Sequence, residues 1–516
     1  MSGIDWLVVG LYMAGMLLLA ARIGRSQASG RDYFLGANKM HPLSLAASTV
    51  ATQCSTNSLL GAPAFVGFTL GGGLLWLQYE LAVPLAMLLL IWMLAAVRKT
   101  GHISIYGFLQ ERLGRESRIL ASSMFLVFRG VATGVTVYGV AIMVTLIVDV
   151  TYTQAVLLLM AVTIIYDVLG GMRAVVVSDV IQLLLIVLAV GASLLLVVGH
   201  IGGWEVLFDF QQTSPRGQAL EFTTGLDGSG NFGFWPMLFG GLFLYMAYYG
   251  CDQSQAQRVL ASRDARDAER VLLYSGLLRF PIVFLYCLLG LALAVYATQV
   301  PDFVQALPRT EAGEANYNLV FPAYVLQTFP TGLIGLIIVG IVAAAMSSID
   351  SSLNSLSAAT LEDHVQRIRP QLSPQQMFWA GKGVTAAWGV FAVIFSYQVE
   401  SIAPTILEAI NKIGSVANGP LLALFVVALL TPAVGQRRAI AGFICGFGVN
   451  VLLWLFAPQV SWLWWNVAGA VASLMVTWLS GGLRIELPSH RAQTQNVVRL
   501  LGMSGLIFGT MVFLSS

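Results

Sequence analysis

Charge is scarce in this chain: of 516 residues only 10% are Asp, Glu, Lys or Arg, against roughly 25% where a soluble surface must face water. The net charge of +2 gives no basic excess of the kind a nucleic-acid binder needs. Cysteine is nearly absent as well. Cys54, Cys251, Cys287 and Cys445 lie in apolar stretches without CxxC spacing, which argues for buried thiols and against a disulfide framework or transition-metal site. The five histidines sit in loops or at the edges of apolar runs, with no HExxH pattern or nucleophile–base spacing, so an integral-membrane enzyme is disfavoured. No charged run and small-residue cleavage site frame the first apolar stretch as a signal peptide. No N-x-S/T sequon occurs, which favours a bacterial origin and an inner-membrane location.

What is present is hydrophobicity: 57% of residues are apolar and the mean hydropathy is +0.79. A hydrocarbon core about 30 Å thick needs roughly 20 apolar helical residues to cross it. Walking the chain with that ruler predicts an all-α integral membrane protein of about fourteen spans. They fall near 4–21, 45–70, 74–96, 119–146, 153–170, 174–199, 234–256, 271–297, 332–360, 376–398, 404–430, 438–456, 461–480 and 498–514. With both termini outside, every Lys and Arg except Arg129, Arg216, Arg279, Arg309 and Lys412 falls in an inward loop, Arg258 included, or, as Lys382 and Arg499 do, toward the inward end of a span. That is the bias the positive-inside rule expects. Two outward segments, 200–233 and 298–331, are long enough to hold short helices over an outer vestibule or to be plain connectors.

Most spans are Leu, Val, Ile and Ala runs. Two differ. Ser44–Gly73 is too polar to face lipid and is interrupted by Gly61, Pro63 and Gly67. A broken helix leaves carbonyls free, which a membrane tolerates only where they line a cavity or hold an ion. Ala343–Thr360 reads AAAMSSIDSSLNSLSAAT. Its hydroxyls at Ser347, Ser348 and Ser351 share a face one turn apart, and such neutral oxygens suit a small hard cation. An aspartate in a span, here Asp350, is costly and is a functional candidate by default.

With Asp32-Tyr33-Phe34-Leu35-Gly36, Gly170-Gly171-Met172-Arg173-Ala174-Val175, Ser178-Asp179-Val180-Ile181-Gln182, Asp252-Gln253 and Gln257-Arg258, these stretches resemble the sodium:solute symporter family, the group that includes the sodium-glucose cotransporters. The resemblance runs over nearly the whole chain. It implies a single transmembrane domain with a LeuT-like 5+5 inverted repeat. The first five helices would span 45–199 and the second five 234–430. One extra helix, 4–21, would precede them, and three C-terminal helices, 438–514, would follow. It also implies sodium as the coupling ion and no organic cofactor. Carried over by motif, the sodium site falls on the carbonyls of Ala51, Cys54 and Ala344 and the hydroxyls of Ser347 and Ser348. A second cation site, present in some members, would use Asp179 and Ser351, with Asp350 standing where those members have a hydroxyl. Two carboxylates there would hold a cation tightly, or one would stay protonated.

The same resemblance places the solute beside the break, against Ser55, Asn57, Ser58, Gln78, Glu80, Asp252 and Arg279. Arg279 either contacts solute or pairs with Glu80 or Asp252. Arg129 would meet an acidic solute or satisfy helix ends, and Lys412, with Glu408 one turn away, packs a helix or gates. The Asp252-Gln253 pair resembles the carboxylate and vitamin branches, whereas Glu80 favours a hydroxyl-rich solute. The expected function is therefore sodium-coupled import of a small carboxylate-bearing solute. A sugar or polyol, proton coupling, and a channel or sensor on a transporter fold are the alternatives. The expected partners are a small molecule and the lipid bilayer, with no nucleic acid.

Overall fold

A computed structural model describes residues 2–54, 56–148, 150–226, 228, 230, 232–309, 313–399, 406–479, 485–486 and 492–516; within these, the side chains of 57, 146–147, 406–413 and 432 are outside the description. The first helix, α1 (Gly3–Gly24), starts where sequence chemistry says it should. Ser2 and Asp5 form a reciprocal capping box, Asp5 N–H to Ser2 Oγ at 3.3 Å and Ser2 N–H to Asp5 Oδ2 at 2.8 Å. Its 22 residues rise about 33 Å, and Leu7, Leu11 and Leu18 face outward, as lipid contact requires.

The expected second span is two twelve-residue helices, α2 (Pro42–Gln53) and α3 (Thr56–Gly67). They part at Cys54, whose backbone leaves helical geometry at φ −74°, ψ 52°. Then come α4 (Ala82–Thr100), α5 (Arg115–Val148) and α6 (Tyr152–Ile201). Helix α6 joins the two expected spans 153–170 and 174–199 through one glycine. Gly171 stands at φ +54°, and a β-carbon there would lie 2.6 Å from the Tyr33 ring, so glycine is the residue this bend accepts.

A second interruption follows. Helices α7 (Gly241–Cys251) and α8 (Gln253–Leu260) are separated by Asp252 in extended conformation, φ −85°, ψ 123°. The Asp252 carboxylate caps α8, accepting from Ser254 N–H at 2.8 Å and Ser254 Oγ at 2.6 Å, the role short polar side chains play at an N-cap. Helix α8 overturns one placement: Arg258, assigned to an inward loop, is a fully buried helical residue. The remaining long helices are α9 (Ala265–Gln299), α10 (Leu333–Ala359), α11 (Pro374–Ser396), α12 (Ile406–Leu430), α13 (Gln436–Phe456), α14 (Trp462–Leu479) and α15 (Thr494–Ser515).

Ten helices among the described residues are long and apolar enough to cross a membrane, and none of the described residues forms a β-strand. The two long segments expected to face outward, 200–233 and 298–331, carry short helices at Trp204–Thr213, Pro301–Gln305 and Val320–Thr328. The serine helix α10 is the centre of the bundle, buried almost continuously from Ile337 to Ala359. Small residues allow close packing: Gly67 of α3 faces Gly290 of α9, and a β-carbon on either would meet the other strand of backbone below 3 Å, the small-residue contact membrane helices favour. Asp5 ties α1 to this centre, accepting from Gly332 N–H at 2.7 Å and Gly335 N–H at 2.8 Å at the start of α10.

Candidate functional site

The break between α2 and α3 faces the serine helix. Ser347 Oγ lies 3.2 Å from the Ala51 carbonyl and 3.1 Å from that of Ala344. Ser348 Oγ lies 3.0 Å from the Thr52 carbonyl and 3.3 Å from Ala344 O. Four of the five expected sodium residues thus converge: Ala51, Ala344, Ser347 and Ser348. Cys54 is buried at the break, but the carbonyl bonded from Ser348 belongs to Thr52. All of these oxygens are neutral and come from two elements that no covalent link brings together, an arrangement that fits a small hard cation. Among the described residues no set of three or more His, Cys, Asp or Glu side chains is disposed to hold a metal ion.

The residues expected at a second cation site also meet, around a different partner. Asp179 on α6 accepts from Ser48 Oγ at 2.5 Å and from Arg258 at 3.3 Å. Ser351 and Thr52 hydroxyls are 2.9 Å apart, and Ser351 also accepts from Arg258. Asp350 Oδ1 receives the Ser351 N–H at 2.5 Å.

The two breaks approach each other through aromatic side chains. Tyr249 at the end of α7 donates to Gln53 at the end of α2, and Ser58 Oγ bridges the first break to the Gln53 carbonyl at 3.1 Å. Arg129 of α5 lies over the Tyr248 ring at 5.6 Å and pairs with Asp252 through one nitrogen, Nη2. Gln255 donates to Tyr248 Oη at 3.0 Å. Gln53, Tyr248, Tyr249 and Gln255 were not among the expected solute residues. Their signal was available as a polar residue at one interruption and a tyrosine pair just before the other.

Arg279 has a different setting. Its Nε and Nη2 grip both oxygens of Glu80, at 2.7 and 2.8 Å, and Nη2 also reaches Tyr245 Oη at 2.7 Å. Of the pairings open in the sequence, Glu80 is the one formed, and Asp252 goes to Arg129. Gln78 is fully buried and spent on backbone, donating to Phe232 O at 3.0 Å and accepting from Glu221 N–H at 2.9 Å. It ties the short helix Leu77–Glu80, just before α4, to the 200–233 segment. Ser55 and the side chains of Asn57, Glu408 and Lys412 lie outside the described residues.

Beyond the C-terminal end of α10 a charged cluster joins three segments. Arg118 Nε pairs with Asp363 at 2.6 Å, and Ser104 Oγ donates to the same carboxylate at 2.7 Å. His102 stands between Glu362, 3.7 Å from Nδ1, and Glu111, 2.7 Å from Nε2. These carboxylates, Glu362 foremost, raise the imidazole above its ordinary pKa, because each favours the charged ring.

The profile of the sodium:solute symporter family matches residues 33–446. The chain belongs to that family. Among its relatives, the sodium-coupled monocarboxylate transporter 2 of Bos taurus is 27% identical over 468 residues, covering 87% of this chain and 73% of the relative. The sodium/sialic acid symporter NanT of Aliivibrio fischeri is 25% identical over 486 residues, 92% of each chain. The sodium/sialic acid symporter SiaT of Proteus mirabilis is 27% identical over 475 residues, 91% of this chain and 93% of that one. A solved structure of a Na+-coupled sialic acid symporter, substrate-bound and outward-open, superposes with a TM-score of 0.83 at 24% identity, covering 94% of this chain and 99% of that one. This family member is therefore a multi-pass membrane transporter, not an enzyme, and its fold is that of a sodium-coupled symporter.

Proposed function

We propose that this family member imports a small carboxylate-bearing solute, driven by sodium bound between the broken helix and the serine helix. The observation that carries the reading is the meeting of Ser347 and Ser348 hydroxyls with the carbonyls of Ala51, Thr52 and Ala344. A sodium ion there, with the Cys54 carbonyl as a further ligand, ties α2 to α10 and organises the break beside it. Both ligands favour the same closed state, so each strengthens the other's binding, a coupling that is reciprocal. The protein then rocks between outward- and inward-open states.

Arg129 is the cation we assign to the solute carboxylate. It is engaged by Asp252 through a single nitrogen and keeps 18% of its side chain exposed, whereas Arg279 is chelated by Glu80 at 8% exposure. A planar guanidinium with spare donors is suited to a second carboxylate. The Glu80 pairing also removes the feature that favoured a hydroxyl-rich solute. Relatives named for monocarboxylates and sialic acid support the acid class. The fold reading that goes with this has fourteen crossings, a 5+5 inverted repeat over 45–199 and 234–430, and both termini outside a bacterial cell membrane. The breaks at Cys54 and Asp252, each in the opening helix of a half, support the repeat.

The test is uptake into liposomes under an inward sodium gradient, with monocarboxylates, sialic acid, neutral sugars and amino acids as the panel. Uptake of an acid that collapses when choline replaces sodium is expected. Acid uptake indifferent to that replacement overturns sodium coupling, and sodium-driven uptake confined to neutral sugars overturns the carboxylate assignment.

A further inference from the structure

The second cation site expected from Asp179, Asp350 and Ser351 contains a cation that is part of the chain. Arg258 heads the fully buried side chains by size. Its Nε donates to Ser48 Oγ at 3.1 Å, and its Nη2 to Thr52 Oγ1 at 3.0 Å, to Asp179 Oδ2 at 3.3 Å and to Ser351 Oγ. Nη1 donates to the Ser254 carbonyl one turn back. The hydroxyl and carboxylate oxygens that would strip a metal ion of its water are therefore turned toward a guanidinium. A guanidinium carries five N–H donors and no acceptor, so it saturates such a ring of oxygens and repels any second cation beside it.

The helix carrying Arg258 is clamped so that this placement is fixed. Gln257 donates to Phe34 O at 2.7 Å and to Asn354 Oδ1 of the serine helix at 2.9 Å. Gln253 accepts from Ile105 N–H and donates to Ile103 O, both at 2.8 Å. Asp179 Oδ1 and Asp350 Oδ2 have no hydrogen-bond partner among the described residues. Two oxygens are too few to replace a hydration shell once the neighbouring hydroxyls are spent. The expected second site thus does not fit a free sodium ion.

We propose that Arg258 is a tethered replacement for a second coupling ion, so that the chain binds one sodium, at Ser347 and Ser348. This deepens the sodium reading above and rests on it. Measuring radioactive sodium bound by the purified full chain in detergent tests it, because no transported solute is needed. The wild-type chain is expected to bind one sodium per molecule with a non-cooperative curve. Arg258→Ala frees the oxygens of Ser48, Thr52, Asp179 and Ser351 and is expected to bind two, while Arg258→Lys, which keeps a buried cation, stays at one. Ser348→Ala in the wild-type background is expected to weaken the single site at least about tenfold.

Two sodium ions on the wild-type chain overturn the replacement while leaving sodium coupling intact. A folded Arg258→Ala that still binds one shows that the guanidinium holds no ion's place, and overturns it too. No specific sodium binding by the wild type overturns the sodium reading itself. Because the wild-type count decides between one and two, the proposal stays open to refutation even if Arg258→Ala does not fold.

Discussion

The Glu80–Arg279 pair allows a quantitative check on whether these charges are scaffold or solute contacts. Both oxygens of Glu80 are bound by Arg279 at 2.7 and 2.8 Å, the guanidinium lies 4.9 Å from the centroid of the Tyr245 ring, and the side chains are 0% and 8% exposed. Glu80→Gln leaves a buried guanidinium without its counter-charge, and Arg279→Met leaves a buried carboxylate. Breaking one side of such a pair costs about 3–5 kcal/mol, roughly two to four orders of magnitude in a folding equilibrium. Replacing both partners by apolar side chains of similar volume is often neutral or stabilising. The double substitution Glu80→Met with Arg279→Met should therefore recover most of what either single change loses. Thermal loss of the monodisperse peak on size exclusion reads this directly: two steep single drops and a double close to wild type. A double whose drop equals the sum of the singles would mean that the groups act independently. Single variants as stable as wild type would refute the buried-pair argument outright.

Ser348→Ala removes one oxygen from the proposed ion. A bond to a charged group is worth about 1.5–3 kcal/mol, so the sodium concentration for half-maximal uptake should rise at least about tenfold; an unchanged sodium curve refutes the site. Arg129→Gln should raise the KM for the acid solute about 10–100-fold, as loss of about 1.4–3 kcal/mol implies, and an unchanged KM removes Arg129 as its anchor. His102 has a folded-state pKa raised by Glu362 and Glu111. Its stabilising contribution is complete below the unfolded value near 6.5 and is lost as pH rises through the folded value. His102→Asn should flatten the fall in melting temperature above neutral pH; an identical pH slope in both proteins refutes this. Gly171→Ala adds a β-carbon 2.6 Å from the Tyr33 ring at φ +54°, so it should destabilise by about 1–3 kcal/mol, and a wild-type melting temperature would show that the bend yields.

The apolar spans and both polar stretches were legible because each is a local property. Hydropathy over a window marks a crossing, and a run of Ser, Asn and Asp in such a window marks an interior helix. The bend in α6 was legible only as a boundary. Gly170 and Gly171 look like a connector until the Tyr33 ring shows why a single glycine suffices. Pairing was the least legible layer. Arg129 meets a carboxylate 123 residues away and Arg279 one 199 residues away, and no periodicity records which acid goes to which base. Arg258 failed for the same reason: the span expected at 234–256 stops two residues short of it, because the acceptors that hold it come from α2, α6 and α10. The charge-bias rule counts an arginine by its place in sequence and cannot tell one held by protein oxygens from one facing the cytoplasm.

If Arg258 stands in for a second ion as proposed, its guanidinium also limits how strongly the carrier can concentrate its cargo. A fixed charge stays with the protein and crosses no membrane. One sodium moving with one monocarboxylate then carries no net charge, and the membrane voltage contributes nothing to the cycle. Accumulation is limited to the sodium concentration ratio itself, about 1.4 kcal/mol for each tenfold difference. A second mobile sodium would square that ratio and add about 2.3 kcal/mol for every 100 mV. Exchanging a travelling ion for an arginine would give a symporter that works at a depolarised membrane and that returns its cargo when the sodium gradient fails.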